Sequence, residues 1–127
     1  MKNILAVLFL VFASIANASL VSDNLATALK EGNATEISTY FGSSVDLSIP
    51  ENEGVYSQTQ AKLILKTFFL KNTPSDFKVV HNGESKNNSH YSIGNLTTTN
   101  GTFRTYILYK EVNTKITILE LKIEADD

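Results

Sequence analysis

Val55–Gly83, VYSQTQAKLILKTFFLKNTPSDFKVVHNG, holds a buried helix, a hard stop and the first strand of a sheet. Between Ser57 and Asn72 the apolar residues Ala61, Ile64, Leu65, Phe68 and Phe69 recur at steps of three and four. At about 100° per residue they form one stripe roughly 140° wide, which needs a large apolar surface to lie on. Ser57 is the expected N-cap, and Gln60 three residues later can complete a capping box. Asn72, Thr73 and Pro74 end the helix, and the alternation Phe77, Val79, His81 puts these three on one face of a strand.

Working outward towards the N-terminus, Val45, Leu47 and Ile49 alternate with Asp46 and Ser48. This is a short half-buried strand near residues 44–49, stopped by Pro50. The turn-rich Glu51–Gly54 then returns the chain to the helix. Before it, residues 20–31 read as a helix closed by Gly32. A second helix follows, capped by Asn33, with Ile37, Tyr40 and Phe41 on its apolar side before Gly42.

Working outward towards the C-terminus, short alternating runs separated by turn residues mark a four-stranded antiparallel meander. Gly83–Asn88 is polar turn, and the second strand spans about Ser89–Thr99. Asn100-Gly101 reads as a two-residue type I′ turn, because both central residues need positive φ. That turn would set Thr99 opposite Thr102, Leu96 opposite Thr105, Asn95 opposite Tyr106, Ile93 opposite Leu108 and Ser92 opposite Tyr109. In the last strand, Lys115–Glu124, strict alternation puts Thr117, Leu119, Leu121 and Ile123 on one face and Ile116 and Ile118 on the other. Both sheet faces are then partly apolar. The fold class is α+β.

The first residues carry a separate message. Lys2, an apolar run from Ile4 to Ala13 and the small-residue order Ala16-Asn17-Ala18 make a secretory signal peptide over residues 1–18, cleaved after Ala18. Residues 19–127 are then a single domain, exported, periplasmic or extracellular, and soluble. The apolar run is too short to span a bilayer, so no membrane anchor is expected in the mature protein. Without Lys2 the chain has ten basic and thirteen acidic residues, a formal charge of −3, which gives no reason to seek nucleic acid. There is no cysteine for a disulfide or a lipid anchor.

The element order helix, helix, strand, helix and four-stranded meander resembles the nuclear transport factor 2-like, cystatin-like superfamily. In that fold a curved sheet wraps the third helix and leaves a cone-shaped pocket. More narrowly, Tyr56, Ser57, Gln60, Ala61, Phe68, Phe69, Pro74, Phe77, Val80, His81 and Gly83 look like a secreted bacterial subfamily whose function is unassigned. Tyr91, Ile93, Gly94, Thr98, Asn100, Gly101, Thr102, Tyr106 and Leu119–Glu124 continue the pattern. The resemblance implies a fold and an exported bacterial protein, and it carries over no catalytic residue.

No residue pattern carries comparable chemistry. Enzymes of the superfamily, ketosteroid isomerase among them, use an Asp or His base with Tyr or protonated Asp donors inside the cone. Here Asp46 alternates with Val45 and Leu47 and so faces away from the core. His81 shares the Phe77 face and is the one candidate base, while His90 sits beside a polar turn. Two histidines at opposite ends of a hairpin make no metal site, and no cofactor motif is present. Arg104 reads as a cross-strand partner on a solvated face rather than a carboxylate clamp. The aromatic load is more suggestive, and Phe41, Tyr56, Phe68, His81, Tyr91 and Tyr106 are the candidate pocket-lining residues. A non-catalytic domain holding a small apolar or amphipathic ligand in the cone ranks first. A homodimeric or heteromeric module ranks second, using Phe103, Ile107 and Tyr109, or their alternates Tyr106 and Leu108, on the outer sheet face. An enzyme ranks third.

Overall fold

The computed structural model describes residues 22–126; the expected leader, its expected cleavage site and the first two residues of the helix expected over 20–31 lie outside them. Helix α1 spans Asp23–Glu31, its first turn capped by Ser22 and its last residue followed by Gly32 in the left-handed conformation. Helix α2 is a single short piece, Ala34–Ser38, capped by the Asn33 side chain. It stops earlier than the apolar pattern suggested: Tyr40 lies outside it, and Phe41 is the first residue of strand β1, Phe41–Ile49. The next stretch is also more ordered than its turn-rich composition implied. Pro50 and Glu51 make the turn, and Asn52–Ser57 forms strand β2, paired antiparallel with β1.

Helix α3, Gln58–Lys71, begins with the expected capping box between Ser57 and Gln60. It buries Ala61, Leu65, Phe68 and Phe69, with Ile64 packed at the margin of the same core. Strands β3 (Pro74–Glu84), β4 (Ser89–Thr98), β5 (Gly101–Val112) and β6 (Lys115–Ala125) form the meander. They join the first two strands in one six-stranded sheet of order β2-β1-β6-β5-β4-β3, in which only β1 and β6 run parallel. The inner face, built from residues such as Leu96, Ile107, Ile118, Leu121 and Ile123, packs against the helices and is closed to solvent.

Two departures from strict alternation decide which side chains reach that face, and a third departure from the expected pattern changes which of them pair. In β6 the pairing shifts between the partners Tyr109–Ile118 and Leu108–Glu120, leaving Leu119 as an extra residue. A one-residue bulge reverses the parity beyond it, so Ile116, Ile118, Leu121 and Ile123 are all buried together rather than split between two faces. In β3 a second shift between Val79 and His81 leaves Val80 unpaired. His81 therefore points outward, away from the face that holds Phe77.

The third departure is the β4–β5 hairpin. Thr98 faces Gly101, so Leu96 pairs with Phe103, Asn95 with Arg104, Ile93 with Tyr106 and Ser92 with Ile107. Each partner lies two residues earlier in β5 than a type I′ Asn-Gly turn requires, which changes every pair but keeps each side chain on its face. The turn centre is Thr99-Asn100, and positive φ is taken by Gly101 at +103°. The Thr98 hydroxyl accepts from the Asn100 N–H at 3.0 Å and donates to the Gly101 carbonyl at 2.8 Å, fixing this geometry.

Candidate functional site

Helix α3 does not close against the sheet along its whole length. Its C-terminal half, the β1–β2 turn, the start of β5 and the end of β6 surround a half-open cleft of about 500 Å³. Its apolar lining comes from Ile49, Pro50, Ile64, Phe68, Phe103 and Ala125. Phe68 and Phe103 meet edge to face, with ring centroids 5.2 Å apart. Phe68 also meets Phe69 edge to face at 5.5 Å, which locks the floor in one arrangement.

The rim is polar and is assembled from distant segments. Asn72 donates to the Phe68 carbonyl twice, from its backbone N–H at 2.8 Å and from its side chain at 3.0 Å, which ties the residue after the helix to its last turn. Asn100 reaches back from the β4–β5 turn, and its amide donates to the Lys71 carbonyl at 2.8 Å and to Asn72 Oδ1 at 2.9 Å. Across the mouth, Lys71 Nζ meets Glu51 Oε1 at 3.3 Å. Both side chains of that pair are mostly exposed, so water screens it and its net contribution is small.

Of the six residues expected to line a pocket, only Phe68 lines this cleft. Phe41 is buried at the start of β1 as ordinary core, and Tyr56 is half-buried on the edge strand β2, packed against the core margin. His81, Tyr91 and Tyr106 come together, but on the outer face of the sheet. His81 Nε2 lies 3.2 Å from the Tyr91 hydroxyl, and the Tyr91 and Tyr106 rings stack with centroids 6.0 Å apart. Tyr91 lies flat over Gly83, where a Cβ would come within 2.5 Å of the ring, so the aromatic placement depends on that glycine. The group facing His81 is a phenol, not the carboxylate that a catalytic base in the cone would need.

The outer face has its own order. His81, Ile93, Tyr106, Lys122, Ser48 and Glu53 form one row across the six strands, and Gly83, Tyr91, Leu108, Glu120, Asp46 and Val55 the next. The β3–β5 side of these rows is aromatic and aliphatic; the β6–β2 side carries the charges, with Glu53, Glu120 and Asp46 set around Lys122. Burial raises the Tyr106 phenol above its ordinary pKa, with Glu120 and Tyr91 adding to the rise and Lys122 opposing it. Arg104 stands exposed on this face opposite Glu124, as a cross-strand partner would. Phe103, Ile107 and Tyr109 are inner-face core, so of the two outer-face sets considered only Tyr106 and Leu108 are available. At the opposite end of the sheet from the cleft, His90 is half-buried against Tyr109, with ring centroids 5.6 Å apart. Among the described residues no three His, Cys, Asp or Glu side chains converge as a metal site.

Sequence reasoning missed the rest of the cleft. Ile49 and Ile64 read as core, Phe103 as an outer-face candidate and Asn100 as a turn former, while Lys71 carried no signal of its own. The signal for Asn100 was present only as an asparagine one place before the residue that takes positive φ, which leaves its side chain free to bond elsewhere.

Comparison with known proteins agrees with this geometry. The chain is similar to solved structures of DUF4783 family proteins from Bacteroides fragilis (33% identity, 84% of this chain and 99% of that one, TM-score 0.75) and Bacteroides ovatus (32%, 84% and 96%, TM-score 0.75). It also matches, at 9% identity and a TM-score of 0.64, a cystatin-like domain of unknown function from Nostoc punctiforme, covering 82% of this chain and 72% of that one. A designed nuclear transport factor 2-like protein matches at 12% identity and a TM-score of 0.60, covering 79% and 90%. At those identities the likeness is one of fold, and it is the fold expected from the element order. No curated protein matches the chain. The sequence profile of the domain of unknown function DUF4783 matches residues 22–124, nearly the whole described structure, and the chain belongs to that family.

Proposed function

We propose that this is a non-catalytic binding domain that holds a small apolar or amphipathic ligand in the cleft between the C-terminal half of α3 and the sheet. The observation that carries this reading is the cleft itself: half-open, about 500 Å³, with an aromatic and aliphatic floor and a polar rim. That volume lies within the range of small-molecule sites, roughly 300–1,000 Å³. The one acid and the one base of the lining, Glu51 and Lys71, are spent on each other at the exposed mouth, which favours holding over converting. The test is a titration of the folded protein with the neutral fluorophore N-phenyl-1-naphthylamine. Saturable one-to-one binding that is lost in Thr67→Trp, a bulky side chain set into the cleft wall, supports the reading. No saturation, or binding unchanged in that variant, overturns it.

A second reading, a homodimer through the outer sheet face, is favoured by the adjacency of Tyr91, Ile93, Tyr106 and Leu108 in the rows described above. Light scattering should then show a dimer that Tyr106→Glu dissociates; a monomer at every concentration removes this reading. We also propose that the domain acts outside the cytoplasm after removal of residues 1–18. Mass spectrometry of the exported protein should begin at Ser19, and a retained Met1 would exclude it. No helix of the described residues is long and apolar enough to cross a membrane.

A further inference from the structure

The two charged side chains that line the cleft are not equivalent, and their difference points to the kind of ligand. Lys71 is the one basic residue of the lining and Glu51 the one acidic residue, and they face each other across the mouth at 3.3 Å. Lys71 stands on a fixed base. It is the last residue of α3, its carbonyl is held by Asn100 at 2.8 Å, and the next residue is tied to Phe68. A cation in the last turn is also favoured by the negative end of the helix. Glu51 stands on the two-residue turn between β1 and β2, with its side chain 74% exposed and no second hydrogen-bond partner among the described residues. An exposed pair of this kind contributes on the order of 0–1 kcal/mol, so a competing charge can separate it. When it opens, the ammonium, on an ordered backbone beside the cleft, is free to meet another acceptor there.

Resting on the reading of the cleft as a binding site, we infer that its ligand is a monocarboxylate amphiphile whose head group takes the place of Glu51 on Lys71. Its aliphatic or aromatic body lies on Phe68, Phe103, Ile49 and Ile64. The carboxylate accepts a charge-assisted hydrogen bond from Nζ, which is stronger than the bond a neutral hydroxyl can accept in the same place. An ammonium head group would have to hold the mobile partner and repel the fixed one.

The experiment compares decanoate, decan-1-ol and decylamine as displacers of N-phenyl-1-naphthylamine from the folded protein, from Lys71→Met and from Glu51→Gln. Decanoate should displace the dye at about tenfold lower concentration than decan-1-ol, the discrimination expected of one charge-assisted contact. In Lys71→Met that preference should vanish while decan-1-ol is unaffected. In Glu51→Gln decanoate should bind severalfold tighter, because its competitor is gone. Equal displacement by decanoate and decan-1-ol, tightest binding of decylamine, or a preference that survives Lys71→Met overturns the inference while the cleft still binds. Dye binding that none of the three probes displaces overturns the inference alone, and failure of the dye itself to bind overturns the reading of the cleft as well. Both residues are exposed, so matching melting curves for the variants keep the comparison free of folding effects.

Discussion

At its N-terminal end, α3 is finished by its own neighbours. Ser57 Oγ accepts from the Gln60 N–H at 3.1 Å, and the Gln60 side chain accepts from the Ser57 N–H at 3.3 Å. At its C-terminal end the helix is finished by a different part of the chain. Asn72 only doubles the bond to the Phe68 carbonyl, while the Lys71 carbonyl is held by Asn100, 29 residues away on the β4–β5 turn. The first arrangement exists wherever the segment is helical; the second exists only when the sheet has formed. The local end packs as ordinary scaffold, while the tertiary end is also the rim of the cleft. Order at the site is thus set by contacts between elements, and the helix start contributes only stability.

Substitutions can break this contrast. Phe68→Ala, which empties the floor at the tertiary end, should cost roughly 3–5 kcal/mol, read from urea denaturation midpoints. A midpoint equal to that of the surface variant Lys66→Ala would mean that the buried stripe is misassigned. Asn100→Ala removes two hydrogen bonds and leaves the Lys71 carbonyl short of a partner, so it should cost about 1–3 kcal/mol. Hydrogen exchange should speed up both in the last turn of α3 and in the β4–β5 turn; acceleration confined to the turn would deny the joint. Gly101→Val forces a β-branched residue to φ +103°. It should lower stability by about 1–3 kcal/mol through backbone strain, since a Cβ there meets nothing within 4 Å. An unchanged melting temperature would show that the turn relaxes freely. Ser57→Ala should cost about 1 kcal/mol, with faster exchange only in the first turn of α3. Lys66→Ala sharpens the scale at its lower end, with an expected change under about 0.5 kcal/mol.

The same division explains what could be read in the sequence. The capping box and the stripe of α3 are local and periodic, and both stand in the structure as their residues imply. So do the Gly32 end of α1, the Asn33 start of α2 and the bounds of β4 and β6 to within a residue or two. The two hairpin turns of the later sheet show where local reading ends. Asn100-Gly101 carries the standard type I′ dipeptide, yet the Asn100 side chain is bonded to the end of α3 and the turn is displaced by one residue. Asn113 and Thr114, which carry no such glycine signal, are the residues that both take positive φ, at 53° and 66°. A two-residue hairpin dictated by the pairing of Val112 with Lys115 imposes that geometry on them.

The candidate site was less legible than the fold. Strict alternation sent His81 inward because the extra residue Val80 leaves no mark in the pattern of hydrophobicity. The extra residue Leu119 is equally silent, so the outer face looked more apolar than it is. Aromatic residues were a poor guide to the cleft because most of them, like Phe41 and Tyr109, are plain core. Lys71, Glu51 and Asn100 become a rim only when three segments far apart in the chain are brought together.

The parallel pairing of β1 with β6 has a consequence for the order of events as the chain folds. β6 is the last strand made, and it occupies the place between β1 and β5. Until it arrives, the β1–β2 hairpin and the β3–β5 meander are two sheet fragments with no shared edge. Closing them means joining segments separated by most of the chain, a contact with a high loop-closure cost and a slow formation rate. A chain emerging N-terminus first from a ribosome therefore cannot join the two fragments through β6 until that strand is free. With that strand in its slot, Ile118, Leu121 and Ile123 enter the core and Ala125 the wall of the cleft.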